Sequence, residues 1–316
     1  MSIRSLRSFL LVSSSLLVGL SGQDPKPPAP PATPAATPAA AVELPHVRVI
    51  GASVSGGFRD GPMTGATEIG ESVTMQHLLK AWCGEHATAT THAPLEMMAM
   101  FTNPEKIGQK QVQAALKAKP DAVVAIDFPF WFVYGHVKGD DEAAARAERF
   151  QKGLAMLAQF EVPVLVGDLP DMQGAARRML APAQIPSVDL LQAANKALVQ
   201  FVAEHPQVRI VPLAATVATL KGSGVVLPLA GGPLQTPPGA LLQGDKLHAN
   251  RLGMAFLGLQ LQPALQGLFP ADHPLRTQTW TFEQFVAACG AEDDLAALQA
   301  AAKAKEGAKV PAGAGK

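Results

Sequence analysis

A serine in a glycine-rich turn is the first feature of this sequence that could do chemistry. Ser53 lies in the segment GASVSGG, residues 51–57, directly after a short apolar run. A serine hydroxyl becomes a nucleophile when a neighbouring base takes its proton, and backbone N–H groups of such a turn can stabilise an oxyanion. An ordinary turn or a phosphate-cradling loop would also fit. The glycines do not match the dinucleotide-binding fingerprint, and the P-loop lysine is absent.

A candidate base lies far downstream, in the segment GDKLHANRLG, residues 244–253. Asp245 precedes His248 by three positions, just before a predicted helix. One turn of chain can bring the carboxylate onto the imidazole, where it fixes the tautomer and stabilises the imidazolium. The alternative is a helix-capping aspartate beside a surface histidine. Taken with Ser53, the segment predicts a nucleophile, a base and an orienting acid.

Alternating strands and helices must position these residues. Apolar runs predict strands at residues 46–50, 122–126, 162–166 and 208–213, and helical patterns occupy residues 71–82, 142–160, 190–202 and 250–261, with a further helix ending before Pro120. This alternation is typical of a parallel sheet covered on both faces, and ligands bind beyond the carboxyl ends of its strands. Residues 221–243 predict a long loop. Thr281 and Gln284 predict a capping box that opens a C-terminal helix.

The two segments together resemble the SGNH (GDSL-type) hydrolases over about residues 46 to 265, through GASVS after the first strand and D-x-x-H-x-N near the end. The resemblance implies an α/β fold, a three-layer α/β/α sandwich with a flavodoxin-like five-stranded parallel sheet. It implies that Ser53 is the nucleophile, His248 the base and Asp245 its partner. It also implies an ester of a small molecule or glycan as substrate, with no cofactor and no metal.

Three further residues are candidates for oxyanion or substrate binding: Asn103, Asp127 and Trp131. The family has an aspartate where this chain has Ala52, a glycine in its second block that has no counterpart here, and an asparagine near the position of Asp127. The nucleophile's own N–H remains as a donor, with Asn103 as a candidate substitute. Asp127 can contact the substrate, orient the site or cap a turn. Trp131 can wall an acyl or sugar pocket, or pack in the core.

Composition excludes several other classes of protein. The 26 Lys and Arg residues balance 26 Asp and Glu residues, so no basic field is available to hold nucleic acid. Two cysteines exclude a disulfide-dense scaffold or a cysteine-rich zinc module. A bridge between Cys83 and Cys289 and a pair of buried free thiols are equally compatible with the sequence. No apolar run is long enough to predict a polytopic membrane protein.

The ends of the chain predict an exported protein. Residues 1–22 have the basic, apolar and small-residue order of a signal peptide, although an uncleaved anchor has a similar pattern. Residues 23–44 are a Pro/Ala-rich linker, expected to be extended. We expect the SGNH-hydrolase-like domain over residues 45–270 and a helical appendage with an Ala/Lys tail over residues 271–316. The location is then periplasmic, cell-surface or extracellular, with no membrane contact beyond the leader.

Two classes of function follow from these residues. The first is a serine hydrolase that cleaves a carboxylic ester, for example an acyl group on a glycan, or an acyltransferase that uses the same triad. The second is a non-catalytic envelope protein that binds a glycan or small ligand at the same edge of the sheet. The triad residues favour the first class, whereas the missing oxyanion donors favour the second.

Overall fold

The computed structural model describes residues 45–59, 72–91, 96, 99–139 and 141–309. The predicted leader, the linker and the last residues of the tail lie outside this part of the chain. Its main sheet has five strands: β1 (His46–Val49), β2 (Thr88–Thr91), β3 (Ala122–Ala125), β4 (Val164–Gly167) and β5 (Val208–Val211). The strands pair in the order β2-β1-β3-β4-β5, and every pairing is parallel.

Helices connect successive strands of this sheet, and four more follow its last strand. They are α1 (Ser53–Gly56), α2 (Met75–Cys83), α3 (Pro104–Lys117), α4 (Phe130–Val133), α5 (Glu142–Leu157), α6 (Val188–Glu204), α7 (Leu213–Gly222), α8 (Arg251–Gln266), α9 (Phe282–Ala288) and α10 (Glu292–Lys309). Several begin where the sequence offers a cap: the side chains of Thr74, Ser187 and Asn250 each accept a hydrogen bond from a backbone N–H in the first turn.

The sheet separates two apolar core clusters, one on each face. In β3, Ala122 and Val124 belong to the first cluster and Val123 and Ala125 to the second, because successive side chains of a strand point to opposite faces. Helices α2, α7, α8 and α9 contribute buried residues to the first cluster, and α3, α5 and α6 to the second. This arrangement confirms the predicted three-layer α/β/α sandwich with a five-stranded parallel sheet.

The C-terminal helices are part of the first core cluster. Phe282 and Phe285 of α9 are fully buried, and the capping box of Thr281 and Gln284 is confirmed. A Cβ atom at Gly258 of α8 would lie 2.7 Å from the Phe285 ring, so only glycine permits this close helix contact. Described residues on both sides of residue 270 therefore contribute to the same core cluster.

Strand β2, helix α7 and a small hairpin are among the elements that were not predicted from the sequence. Strand β2 has the sequence TATT and no apolar run. Helix α7 begins inside the segment predicted as the last strand, which ends at Val211. The predicted loop over residues 221–243 contains a small antiparallel hairpin, Val226–Leu227 with Leu234–Gln235.

Candidate active site

Ser53 lies at the point where the sheet reverses its strand order. Strand β1 has β2 on one side and β3 on the other, so the order of connection switches between β1 and β3. Ser53 follows β1 and begins the single-turn helix α1, while Asp127 follows β3. Crevices at such switch points, beyond the carboxyl ends of parallel strands, are the usual ligand sites of open α/β sheets.

Asp127 holds the turn that carries Ser53. Its Oδ1 accepts hydrogen bonds from the Ala52 N–H at 3.0 Å and the Ser55 Oγ at 2.6 Å. Its Oδ2 accepts from the Val54 N–H at 2.8 Å and the Ser55 N–H at 3.4 Å. A buried carboxylate needs such donors, because burial of an unpaired charge is strongly unfavourable. Of the roles predicted for Asp127, these contacts favour that of a residue that orients the site.

Gln111 of α3 also fixes this turn. Its Oε1 accepts from the Gly51 N–H at 2.7 Å, and its Nε2 donates to the Gly51 carbonyl at 2.9 Å. Gly51 has φ +148°, and a Cβ atom there would lie 2.2 Å from Asp127 Oδ1 and 2.5 Å from Ser55 Oγ. Only glycine therefore fits between these groups.

His248 lies in a compact loop immediately before α8. The loop is closed by hydrogen bonds from the Gln243 N–H to the His248 carbonyl and from the Asn250 N–H to the Leu241 carbonyl. Inside it, Asp245 Oδ1 accepts from the N–H groups of Leu247 at 2.9 Å and His248 at 3.0 Å. These bonds explain why a spacing of three residues suffices to orient the carboxylate toward the imidazole.

The three predicted residues form one hydrogen-bonded chain. Asp245 Oδ2 lies 2.6 Å from His248 Nδ1, and His248 Nε2 lies 2.9 Å from Ser53 Oγ. Because ionised Asp245 only accepts, Nδ1 carries the proton and Nε2 is free to accept the Ser53 O–H. The exposed fraction is 1% for Asp245, 3% for His248 and 9% for Ser53. The arrangement can transfer the Ser53 proton to His248.

Asp245 is held in its ionised form. Burial alone would raise the pKa of this carboxyl group. The imidazole of His248 and the backbone N–H groups of His248 and Leu247 outweigh burial, and the net pKa lies below its ordinary value. The imidazolium that forms when His248 takes a proton therefore has an anion as its neighbour.

Phe58 covers one face of the histidine. The two rings stack with centroids 3.9 Å apart and planes at 7°. Gln243 Nε2 donates to the Phe58 carbonyl at 2.8 Å and to the Ala249 carbonyl at 3.0 Å, so a single amide joins the aromatic residue to the histidine loop. The stack restricts rotation of the imidazole and shields one face of it from water.

The Ser53 N–H is the donor left for an oxyanion. The neighbouring N–H groups of Ala52, Val54 and Ser55 all donate to Asp127, whereas in the described residues that of Ser53 has no acceptor. Asn103 is exposed, and its side-chain oxygen caps α3 by accepting from the Lys106 N–H at 3.2 Å. A contact between the Asn103 amide N–H groups and an oxyanion stays a prediction.

Trp131 lines a cavity beside Ser53, together with Asp127 and Phe130. Two arginines fix the segment that carries these aromatic rings. Arg146 donates to the carbonyls of residues 133, 135 and 183, and Arg149 to those of residues 132, 134 and 136. Trp131 and Phe130 are therefore held in place as one wall of the cavity.

Sequence reasoning missed Gln111, Phe58 and Gln243. Gln111 gave one weak signal, because it is a polar residue beside Val112 on the buried face of α3. Phe58 and Gln243 gave none, since their roles depend on contact between segments 185 residues apart.

Neither a metal site, a membrane-spanning helix nor a disulfide is found among the described residues. Among the described residues, no group of three His, Cys, Asp or Glu side chains is placed to hold a metal ion. None of the helices in the same part of the chain has the length and apolar character needed to cross a membrane. Cys83 and Cys289 are buried free thiols in the first core cluster.

No protein-family model and no curated protein matches the chain.

Proposed function

We propose that this protein is a serine hydrolase that cleaves a carboxylic ester. The observation that carries the proposal is the Asp245–His248–Ser53 hydrogen-bonded chain, which joins residues 195 positions apart at the carboxyl edge of the sheet. Nucleophile, base and orienting acid in this geometry recur on unrelated folds that perform acyl transfer. The resemblance to SGNH hydrolases points to the same chemistry and remains a prediction.

The reaction would proceed in two steps. Ser53 Oγ attacks the ester carbonyl carbon while its proton passes to His248 Nε2, and the new Oγ–C bond forms a tetrahedral oxyanion. That intermediate collapses, the bond to the alcohol oxygen breaks, and His248 returns the proton to the departing alcohol. Water then attacks the acyl-enzyme with His248 as base, releasing the acid and restoring the Ser53 hydroxyl. Asp245 stabilises each imidazolium.

Stabilisation of the oxyanion would rest on few groups. The Ser53 N–H is uncommitted in the described residues, and loss of one donor in such a site typically costs about 2.7–4 kcal/mol. We therefore expect a slow enzyme, unless the substrate itself supplies a donor. The same observation favours a second candidate function, a ligand-binding protein that retains the site without turnover.

Labelling of the full chain with a fluorophosphonate probe tests the proposal. We expect one adduct per chain, located on Ser53 by mass spectrometry, and loss of labelling in Ser53→Ala and His248→Ala. Ser187→Ala is the matched control, because this serine caps α6 and is exposed, so labelling should persist. A folded wild-type protein that is not labelled, and that hydrolyses no ester, would refute the proposal and favour the binding protein.

The proposal includes export of the protein, on the pattern of residues 1–22. The N-terminus of the protein isolated from its cells tests this directly. Mass spectrometry should find a mature chain that begins close to residue 23. A chain that retains the leader in a soluble cell extract would contradict export.

A further inference from the structure

An apolar cavity opens onto the candidate catalytic residues. It has a volume of about 90 Å³ and reaches Ser53 and His248. Its apolar lining comes from α7, from α8 and from the residue after β3: Leu213, Val217, Leu220, Phe256, Leu257 and Ile126. Phe130 and Trp131 also line it.

The carboxylate and hydroxyl groups that line this cavity, apart from Ser53, are already engaged. Asp127 accepts hydrogen bonds from the Ser53 turn, as described above. Asp168 Oδ1 accepts from the Ala214 N–H at 2.6 Å, and Thr216 Oγ1 donates to the Pro212 carbonyl at 2.9 Å. A sugar ring in this cavity would bury hydroxyl groups with few partners, which is costly. A hydrocarbon chain would gain from the same burial.

We infer that the cavity binds a linear, medium-length acyl chain of the ester. A single water needs about 10–15 Å³, so a cavity of about 90 Å³ has room for a chain of several carbons. This inference rests on the proposed ester hydrolysis and narrows its substrate from esters in general, acetyl groups on glycans included, to medium-chain acyl esters.

The cavity suits the acyl half of the ester better than the alcohol half. The alcohol leaves after it takes a proton from His248, and water must then enter at the same place. The alcohol side must therefore open to solvent during each turnover. The acyl group stays bonded to Ser53 until water attacks, so an apolar pocket that retains its ligand does not obstruct the cycle.

A series of p-nitrophenyl esters from acetate to dodecanoate tests the inference on the full-chain protein. We expect kcat/KM to rise by up to about fourfold for each methylene until a medium chain length near octanoate, and then to level or fall. Octanoate should exceed acetate by at least about tenfold. A profile that is flat, or that falls from acetate onward, would overturn the inference while ester hydrolysis itself stood.

Variants of Val217, which lines the cavity, test whether this cavity sets the preference for chain length. Val217 is half-buried on α7, and Val217→Phe should lower the ratio of kcat/KM for octanoate to kcat/KM for acetate by about tenfold or more. Val199→Phe is the matched control, since Val199 is 61% exposed on α6 and does not line the cavity. If Val217→Phe does not fold, Val217→Leu gives a smaller shift in the same direction. A folded variant with an unchanged profile would overturn the assignment.

Binding to Ser53→Ala separates this inference from the proposed function. Calorimetry with octanoate and acetate measures the apolar pocket without turnover. If no ester is hydrolysed but octanoate binds at least about tenfold more tightly than acetate, the pocket assignment stands and the hydrolase proposal fails. If octanoate and acetate bind equally, or neither binds, the pocket assignment is overturned.

Discussion

Asp127→Asn is the change that most directly tests how the nucleophile is positioned. The carboxylate accepts four hydrogen bonds from Ala52 and from Val54 and Ser55 of α1, two on each oxygen. Asparagine keeps the size of the side chain but has one acceptor oxygen, and its amide nitrogen would face N–H groups that have no other acceptor. The turn would then shift, and Ser53 with it.

The loss of stability and the loss of activity can both be estimated from these contacts. Either orientation of the amide leaves one or two buried N–H groups unpaired, and each costs about 1–3 kcal/mol. We therefore expect the free energy of unfolding to fall by about 2–4 kcal/mol, which a domain with about 5–15 kcal/mol of stability tolerates at 25 °C. A displacement of the nucleophile by about 1 Å costs about 100-fold in rate. The kcat for an ester should fall by about that factor, with KM nearly unchanged.

Steady-state hydrolysis of a p-nitrophenyl ester and urea unfolding measure the two effects. Asp121→Asn is the matched control, because Asp121 also accepts a backbone N–H, that of His46 at 2.7 Å, but is exposed and lies at the opposite edge of the sheet. The control should lose little kcat. A folded Asp127→Asn protein whose kcat remains within threefold of wild type would show that the carboxylate does not position Ser53.

Three further changes have expected outcomes. Gly51→Ala places a Cβ atom 2.2 Å from Asp127 Oδ1 at a positive φ, so urea unfolding should show a loss of about 2–4 kcal/mol; an unchanged midpoint would contradict this contact. The lowered pKa of Asp245 stabilises the fold above the ordinary carboxyl pKa of 3.8, and this contribution is lost as pH falls through the lower folded value. The stability advantage over Asp245→Asn should therefore shrink as the pH falls below the ordinary carboxyl pKa, and a constant difference down to pH 2 would refute it. Burial raises the pKa of Cys83 and Cys289 to about 12. Ellman's reagent at pH 8 should therefore find no fast-reacting thiol in the native protein and two thiols in urea. If no thiol reacts in urea, the two cysteines form a disulfide.

Much of the sheet was predictable because parallel strands covered on both faces are apolar at every position. β3 and β4, with the sequences AVVA and VLVG, are buried throughout and were predicted to within two residues. β2 was missed because it lies at the edge of the sheet, pairs with β1 alone, and needs no apolar run. Helix α7 was missed because only one of its ten residues, Leu220, is buried, and no clear apolar face results.

Some residues of the candidate site depend on contacts that are local in the sequence, and others on contacts that are distant. Asp245 and His248 were predictable because their geometry is set within one short loop. Asp127 was predicted at the correct edge of the sheet, but its partners, 72 to 75 residues away, depend on how β3 pairs with β1. Asn103 was selected for its amide alone, and a helix cap uses that amide.

Because α9 is buried, the core is completed only late in the synthesis of the chain. A chain that emerges from its N-terminus has Ser53 long before His248, and the core on one face of the sheet stays incomplete until Phe282 and Phe285 arrive. Contacts of such long sequence separation form late and slowly. A nascent or truncated chain would therefore lack both the triad and the cover of its core. The proposed hydrolase would be inert in the compartment that synthesises it until nearly the whole chain has been released.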